Sequence, residues 1–244
     1  MNQPQHIELG RPARPGQLIL ERRYNLAREL IPDLSQVGSM LDLGCGNGAQ
    51  TIYFASSVRK LVGVDVVPIE SSEANVGTKA FDFIKSDAGN LPFGRQSFDL
   101  VTAFEVLEHF PDDQLALKEV SRILKFSGRC LFSVPNKWWL FESHGATVPG
   151  LNWLPWNRIP LVGWLPDALH RQIARARIYT MKKAIGLAEN AGLKVVSCGY
   201  ITAPLDVLPE GFVRRIFRGT LFKGDSTKIP FFAVNLFVLC QKEG

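Results

Sequence analysis
Met40-Leu41-Asp42-Leu43-Gly44-Cys45-Gly46-Asn47-Gly48 is the stretch on which the reading of this chain turns. An apolar strand carries an acid and opens into a turn with glycine at every second position. Glycine lacks a Cβ and tolerates positive φ, so such a turn brings backbone close to a ligand. Gly-rich strand-to-helix turns serve many nucleotide folds. Two of those patterns do not fit. Read from Gly44, the third glycine of G-x-G-x-x-G comes one residue early, at Gly48, and no Lys-Ser/Thr follows to complete a phosphate-cradling loop.

The surrounding sequence narrows the choice. Lys60-Leu61-Val62-Gly63-Val64-Asp65 reads as a second buried strand ending in a carboxylate. That acid falls about 20 residues past the glycines, where doubly wound folds place the group that holds ribose hydroxyls. Phe83 to Ala88, Phe98 to Phe104 and Gly128 to Pro135 supply three more strands, separated by helix-length segments. Strands that alternate with helices predict a parallel sheet. Asp42, Asp65, Asp87 and Glu105 then fall at strand ends along one rim, where the ligand crevice of an open α/β sheet lies. Each of these acids alone also reads as an ordinary loop or N-cap residue.

Taken together, these elements resemble the class I S-adenosylmethionine-dependent methyltransferases, strongly over residues 35–136 and in outline elsewhere. Asp42, Gly44, Cys45, Gly46 and Gly48 look like that family's first motif. Asp65 with Val66 matches the position that grips the ribose, Asp87-Ala88 the pair that meets the adenine, and Phe104 lies at the next strand end. The resemblance implies S-adenosylmethionine as cofactor and a doubly wound, Rossmann-like α/β fold. Its sheet would have seven strands, mostly parallel, with an antiparallel C-terminal edge and a substrate lid after the fifth strand. The donor carries a sulfonium, an ammonium and a ribose diol but no phosphate, so acids suit it better than anion-binding devices.

One domain is expected over residues 1–244, since the length suffices for a single substantial core. Residues 1–34 read as an arm with Pro4, Pro12 and Pro15 followed by a cap helix, Leu18 to Ile31. Residues 35–136 form the cofactor half. Residues 137–170 hold all five tryptophans, interleaved with prolines, and read as a substrate lid or as a helical subdomain whose rings pack on the sheet. Residues 171–244 complete the sheet, with an insertion at 203–230. Helices are expected at Asp112 to Leu124 and, capped by Thr180 and stopped by Gly192, at Tyr179 to Leu193.

The four cysteines are scattered, with neither C-x-x-C nor histidine pairing, which excludes a disulfide framework or a zinc site. The N-terminus lacks the apolar core of a signal peptide, and no apolar run approaches the ~20 residues of a membrane span. A cytoplasmic protein is expected. Charge is uneven: residues 1–128 carry a net −3 and residues 129–244 a net +8. The basic half could meet an anionic partner or form a solvated surface. Phe212 to Arg218 could be an amphipathic helix that caps the substrate, touches a membrane surface, or simply packs.

Methyl transfer from a sulfonium needs mainly alignment and exclusion of water, with a base only where the acceptor arrives protonated. Glu105-Val106-Leu107-Glu108-His109 follows the fourth strand and resembles the E-x-x-E-H stretch of two metal-using groups, the ubiquinone-biosynthesis O-methyltransferases and the small-RNA 3′-terminal 2′-O-methyltransferases. The further histidine that the RNA group places before the Thr180 helix is absent, the region reading Arg175 to Tyr179. No metal ligand is assigned. Glu105, His109 and His144 are the catalytic candidates, His144 also reading as a hydrogen-bonded loop residue; His170 and His6 rank below them. The expected reaction is methylation of a small, lipophilic or aromatic acceptor, oxygen slightly ahead of carbon or nitrogen. RNA modification through the basic half is the alternative, and a non-catalytic cofactor-binding module the third class.

Overall fold
A computed structural model describes residues 14, 16–67, 81–151, 153–205 and 209–244. The expected arm prolines, His6 and the segment between the second and third strands lie outside these residues. The elements are α1 (Leu18–Leu30), β1 (Ser39–Leu43), β2 (Lys60–Asp65), β3 (Asp82–Lys85), β4 (Phe98–Phe104), α2 (Asp113–Ile123) and β5 (Leu124–Pro135). Then come α3 (Asp167–Ile173), α4 (Met181–Asn190), β6 (Leu193–Thr202), α5 (Phe212–Gly219), β7 (Ser226–Thr227) and β8 (Ala233–Lys242).

The strands form one sheet in the order β3-β2-β1-β4-β5-β8-β6-β7. β1 to β5 run parallel, while β8 and β6 add antiparallel. Among the described residues the sheet therefore has eight strands, not the expected seven. The extra strand is β7, whose two residues pair with Tyr200 and Ile201 at the far edge. A two-residue strand inside an irregular insertion has no alternating pattern to betray it. At the opposite edge, β3 is shorter than the expected Phe83 to Ala88 run and ends at Lys85, so Asp87 sits in the loop beyond. The segment after the glycine turn forms only a single 3-10 turn, Thr51–Phe54, rather than a full helix.

Pleating sorts the core. Leu41, Leu43, Val62, Val64, Val101 and Phe132 face one side and pack with α2 and α4. Met40, Leu61, Leu100, Phe104 and Leu131 face the other and pack with Leu26 and Ala27 of α1 and with Ile31 just past its end. Both packing helices are capped as the sequence implies. Asp112 accepts from the amide of Leu115 at 2.9 Å, and Thr180 from that of Lys183 at 3.3 Å. A third, smaller core of Trp139, Ala203, Leu205 and Phe222 joins the lid to the late insertion. Arg22, buried on α1, ties this side down by donating to the carbonyls of Thr202, Ala203 and Phe222.

Candidate active site
The glycine turn is built as its spacing requires. Gly44, Gly46 and Gly48 have φ of +73°, +53° and +79°. A Cβ at Gly44 would overlap Val106, and one at Gly48 would come within 2.7 Å of Phe81. The amides of Gly44 and Cys45 both donate to the carbonyl of Val64, folding the turn over the end of β2. Asp65 at that strand's end accepts from Gly46 N at 2.8 Å and from Val67 N at 3.0 Å. Its carboxylate thus shapes the glycine turn while staying half-buried beside it, next to Val66. Across the rim, Asp87 is exposed and accepts from Gly89 N at 2.6 Å, and Ala88 is buried.

Asp42 is placed differently from a rim acid. It lies within β1 and is buried, accepting from Thr51 Oγ1 at 2.5 Å and Thr102 Oγ1 at 2.8 Å. Burial pushes its pKa up to about 6, against the pull of those hydroxyls and of Arg23. It braces the turn from beneath. Cys45 is buried too, and desolvation beside Asp42 and Asp65 raises its thiol far above the ordinary value. Phe104 closes the end of β4, with the Arg23 guanidinium 5.8 Å from its ring centre.

Beyond β4 the backbone is strained: Glu105 has φ +55°, a left-handed conformation unusual for a side-chain-bearing residue. Its amide donates to Ser133 O at 3.0 Å, which fixes the chain's exit from the sheet. Burial raises the Glu105 carboxyl, opposed by Arg23 and by the polar groups of Asn235 and Ser133. Three residues on, in the 3-10 turn Leu107–His109, Glu108 is wholly buried, and neither carboxyl oxygen meets a hydrogen-bond partner. Desolvation, then the neighbouring Glu105, holds it well above the usual carboxylate range.

The lid brings the second half of the cluster. His144 Nε2 lies 3.5 Å from Glu108 Oε1, His109 Nε2 lies 3.9 Å from the same oxygen, and the two rings meet edge-on at 4.9 Å. Burial first, then His109 and Arg23, lowers His144 to about 3, so its imidazole is neutral at neutral pH. The loop that carries it is held from behind by Glu142, which pairs with buried His170 at 2.8 Å. The sequence candidates Glu105, His109 and His144 are thus gathered at one place, with Glu108 at its centre. His170 serves the lid instead.

One ligand atom each from Glu108, His109 and His144 lies within 4.8 Å of the others, a set that could hold a divalent cation. Glu105 does not belong to that set, so the E-x-x-E-H pattern is not reproduced as a unit. Buried Arg23 already places a positive charge among Asp42, Glu105 and Glu108. Neither Arg23 nor the Glu142–His170 pair figured in the sequence reading. The available signal was spacing: Leu20, Arg23 and Ala27 share the buried stripe of α1, an arginine on an apolar face. Of the tryptophans, only Trp139 is buried; Trp138, Trp153 and Trp164 are exposed, so they do not together wall a closed pocket.

A methyltransferase-domain family profile matches residues 41–132. An uncharacterized methyltransferase of Bacillus subtilis, YcgJ, is 37% identical over 97 residues, covering 38% of each chain. A ubiquinone biosynthesis O-methyltransferase of Coxiella burnetii is 28% identical over 125 residues, covering 50% of this chain and 52% of the relative. The matches therefore span about half or less of these relatives' length. Among solved structures, an S-adenosylmethionine-dependent methyltransferase from Mesorhizobium loti superposes with a TM-score of 0.62 at 15% identity, covering 91% of this chain and all of that one. The YcgJ structure gives 0.56 at 20% identity over 93% and 92% of the two chains. At these identities the superpositions speak to the fold. Residues 41–132 thus match a methyltransferase domain, and the chain shares its fold with S-adenosylmethionine-dependent methyltransferases.

Proposed function
We propose that this protein transfers a methyl group from S-adenosylmethionine to a hydroxyl of a small, lipophilic or aromatic acceptor. The observation that carries the reading is the buried Glu108–His144 pair, assembled between the strained end of β4 and the lid. The donor set of the rim suits the family's cofactor. Half-buried Asp65 and exposed Asp87 offer carboxylate oxygens to a diol and an amine, on a turn whose glycines leave the backbone approachable. When bound, that cofactor supplies an activated methyl on a sulfonium.

The chain's own residues then align the acceptor and handle its proton. Nε2 of His144 is turned to Glu108, which leaves Nδ1, buried and without a hydrogen-bond partner, as the acceptor of a hydroxyl proton. Burial keeps the imidazole neutral and holds the Glu108 carboxyl well above the usual carboxylate range. His144 would take the O–H proton, and the cofactor, when bound, would supply the methyl, its sulfonium leaving as the neutral thioether. A tertiary amine acceptor would present no such proton, whereas a hydroxyl does. Arg23 balances Glu105 and Asp42 beneath the site. The 3-10 turn and the lid together exclude water.

The test is methyl transfer from a labelled donor to a panel of phenols and catechols. His144→Ala is expected to lower turnover by about 10²- to 10⁴-fold, with affinity for S-adenosylhomocysteine unchanged. Turnover equal to wild type on the same acceptor would overturn the assignment.

A further inference from the structure
The helix α5 is mounted inside out. At 100° per residue, Phe212, Val213, Ile216 and Phe217 share one continuous arc, and Arg214, Arg215 and Arg218 share the other. A helix on a water-facing surface turns its apolar arc inward. Here the residues that turn inward, Arg214 and Arg218, are basic. Arg214 is buried and pairs with Glu210 at 2.7 Å, and Arg218 Nε donates to the carbonyl of Pro204 at 2.6 Å. The apolar arc faces out: Phe212 is 74%, Val213 62% and Ile216 46% exposed, and Leu221 just beyond the helix is 55% exposed. Such a contiguous patch is rare on a surface meant only for water.

We propose that α5 and its flanks form an interfacial docking surface for an anionic lipid bilayer. Three observations select that occupant. Arg215, next to Phe212 around the helix, and Lys223, two residues past Leu221, are both exposed, so the apolar side chains have cations nearby. This is the composition of a helix that lies in a headgroup layer. The helix has eight residues, about two turns, so the exposed apolar arc is short. A two-fold contact between copies would set these same cations against one another. Among the described residues no helix is long and apolar enough to cross a membrane, so the contact lies on the bilayer rather than through it.

The surface is coupled to the lid by packing. Phe222, next to Leu221, meets Trp139 and Phe232 with ring centres 6.5 Å and 5.1 Å away. Adjacent Phe231 joins exposed Trp138 and Trp164. A bilayer that engages α5 thus lies against the segment that carries the acceptor-side residues. The docking does not depend on the acceptor being a lipid.

Sedimentation of the full chain with vesicles tests it. Wild type is expected to bind vesicles of equal parts phosphatidylcholine and phosphatidylglycerol, and pure phosphatidylcholine more weakly. Phe212→Glu with Ile216→Glu should cut that binding about tenfold or more, with thermal unfolding and S-adenosylhomocysteine affinity unchanged. Arg215→Gln should cut it about fivefold. Wild type failing to bind either vesicle, or the double variant binding like wild type, would overturn the proposal. So would a wild-type dimer that ignores vesicles and that the double variant dissolves. If the double variant does not fold, amide hydrogen exchange of wild type with and without vesicles decides. Protection over 211–221 supports the surface, and unchanged exchange there removes it.

Discussion
Residues 39–135 and residues 136–232 share one sheet but are held by different forces. The first region is a run of parallel strands whose apolar side chains alternate between two faces, so its core is fixed by local pattern. Its functional loop is shaped by backbone conformation, with glycines at positive φ and Asp65 gripping the turn. Outside α4 and β6, the second region has little periodic structure. It is held by long-range polar ties, such as Arg22 to three carbonyls and Glu142 to His170, and by a small aromatic core. A cofactor common to a family can be met by a conserved style of loop geometry. Acceptors differ, and a region stitched by a few specific contacts can be re-stitched without disturbing the sheet.

That contrast can be broken at its strongest tie. Arg22→Met removes a buried donor and leaves the carbonyls of Thr202, Ala203 and Phe222 without it. Stranded buried acceptors cost about 1–3 kcal/mol each, so a loss of about 3–5 kcal/mol is expected in denaturant unfolding. A loss below about 1 kcal/mol would show that the insertion does not need this anchor. The first region is probed by Asp65→Ala, expected to weaken cofactor affinity by about 1–3 kcal/mol. Calorimetry with S-adenosylhomocysteine reads it, and unchanged affinity would detach Asp65 from the ligand.

The smallest effect sharpens the boundary between the regions. His144 in the folded chain sits at about 3, below the ordinary 6.5, so the unfolded chain binds more protons in acid. Its contribution is full above about 6.5 and is lost as pH falls toward about 3. His144→Gln removes this titration. Between pH 7 and 5.5 the variant should therefore lose about 1 kcal/mol less stability than wild type. Asp42, raised to about 6, acts in the opposite direction, losing stability as pH rises from about 4 through 6, but it is common to both proteins. Equal acid sensitivity in the two would mean that His144 is not desolvated as the geometry implies.

The sequence made much of the first region legible for a physical reason. Strand alternation, the glycine interval and the acid at the end of β2 are all short-range, and each carries its own cause. α1, α2, α4 and their caps could be read for the same reason. What escaped was non-local. Asp42 looks like a rim acid in sequence, but Thr51 and Thr102 draw it into the interior. The tryptophans read alike in sequence, as a lid or a packed subdomain, but in space Trp139 is enclosed while Trp138, Trp153 and Trp164 are exposed. Glu108 and His144 are 36 positions apart in the chain, and no local pattern says that they meet.

By itself the sequence determined the parallel half, its glycine turn and the kind of ligand its acids suit, because those follow from the conformational rules of single residues and near neighbours. Tertiary structure alone decided which titratable groups are buried together, that Arg23 stands among the acids, and that α5 turns its apolar arc outward. Desolvation and Coulomb interaction depend on what surrounds a side chain in space. Those surroundings come from segments far apart along the chain.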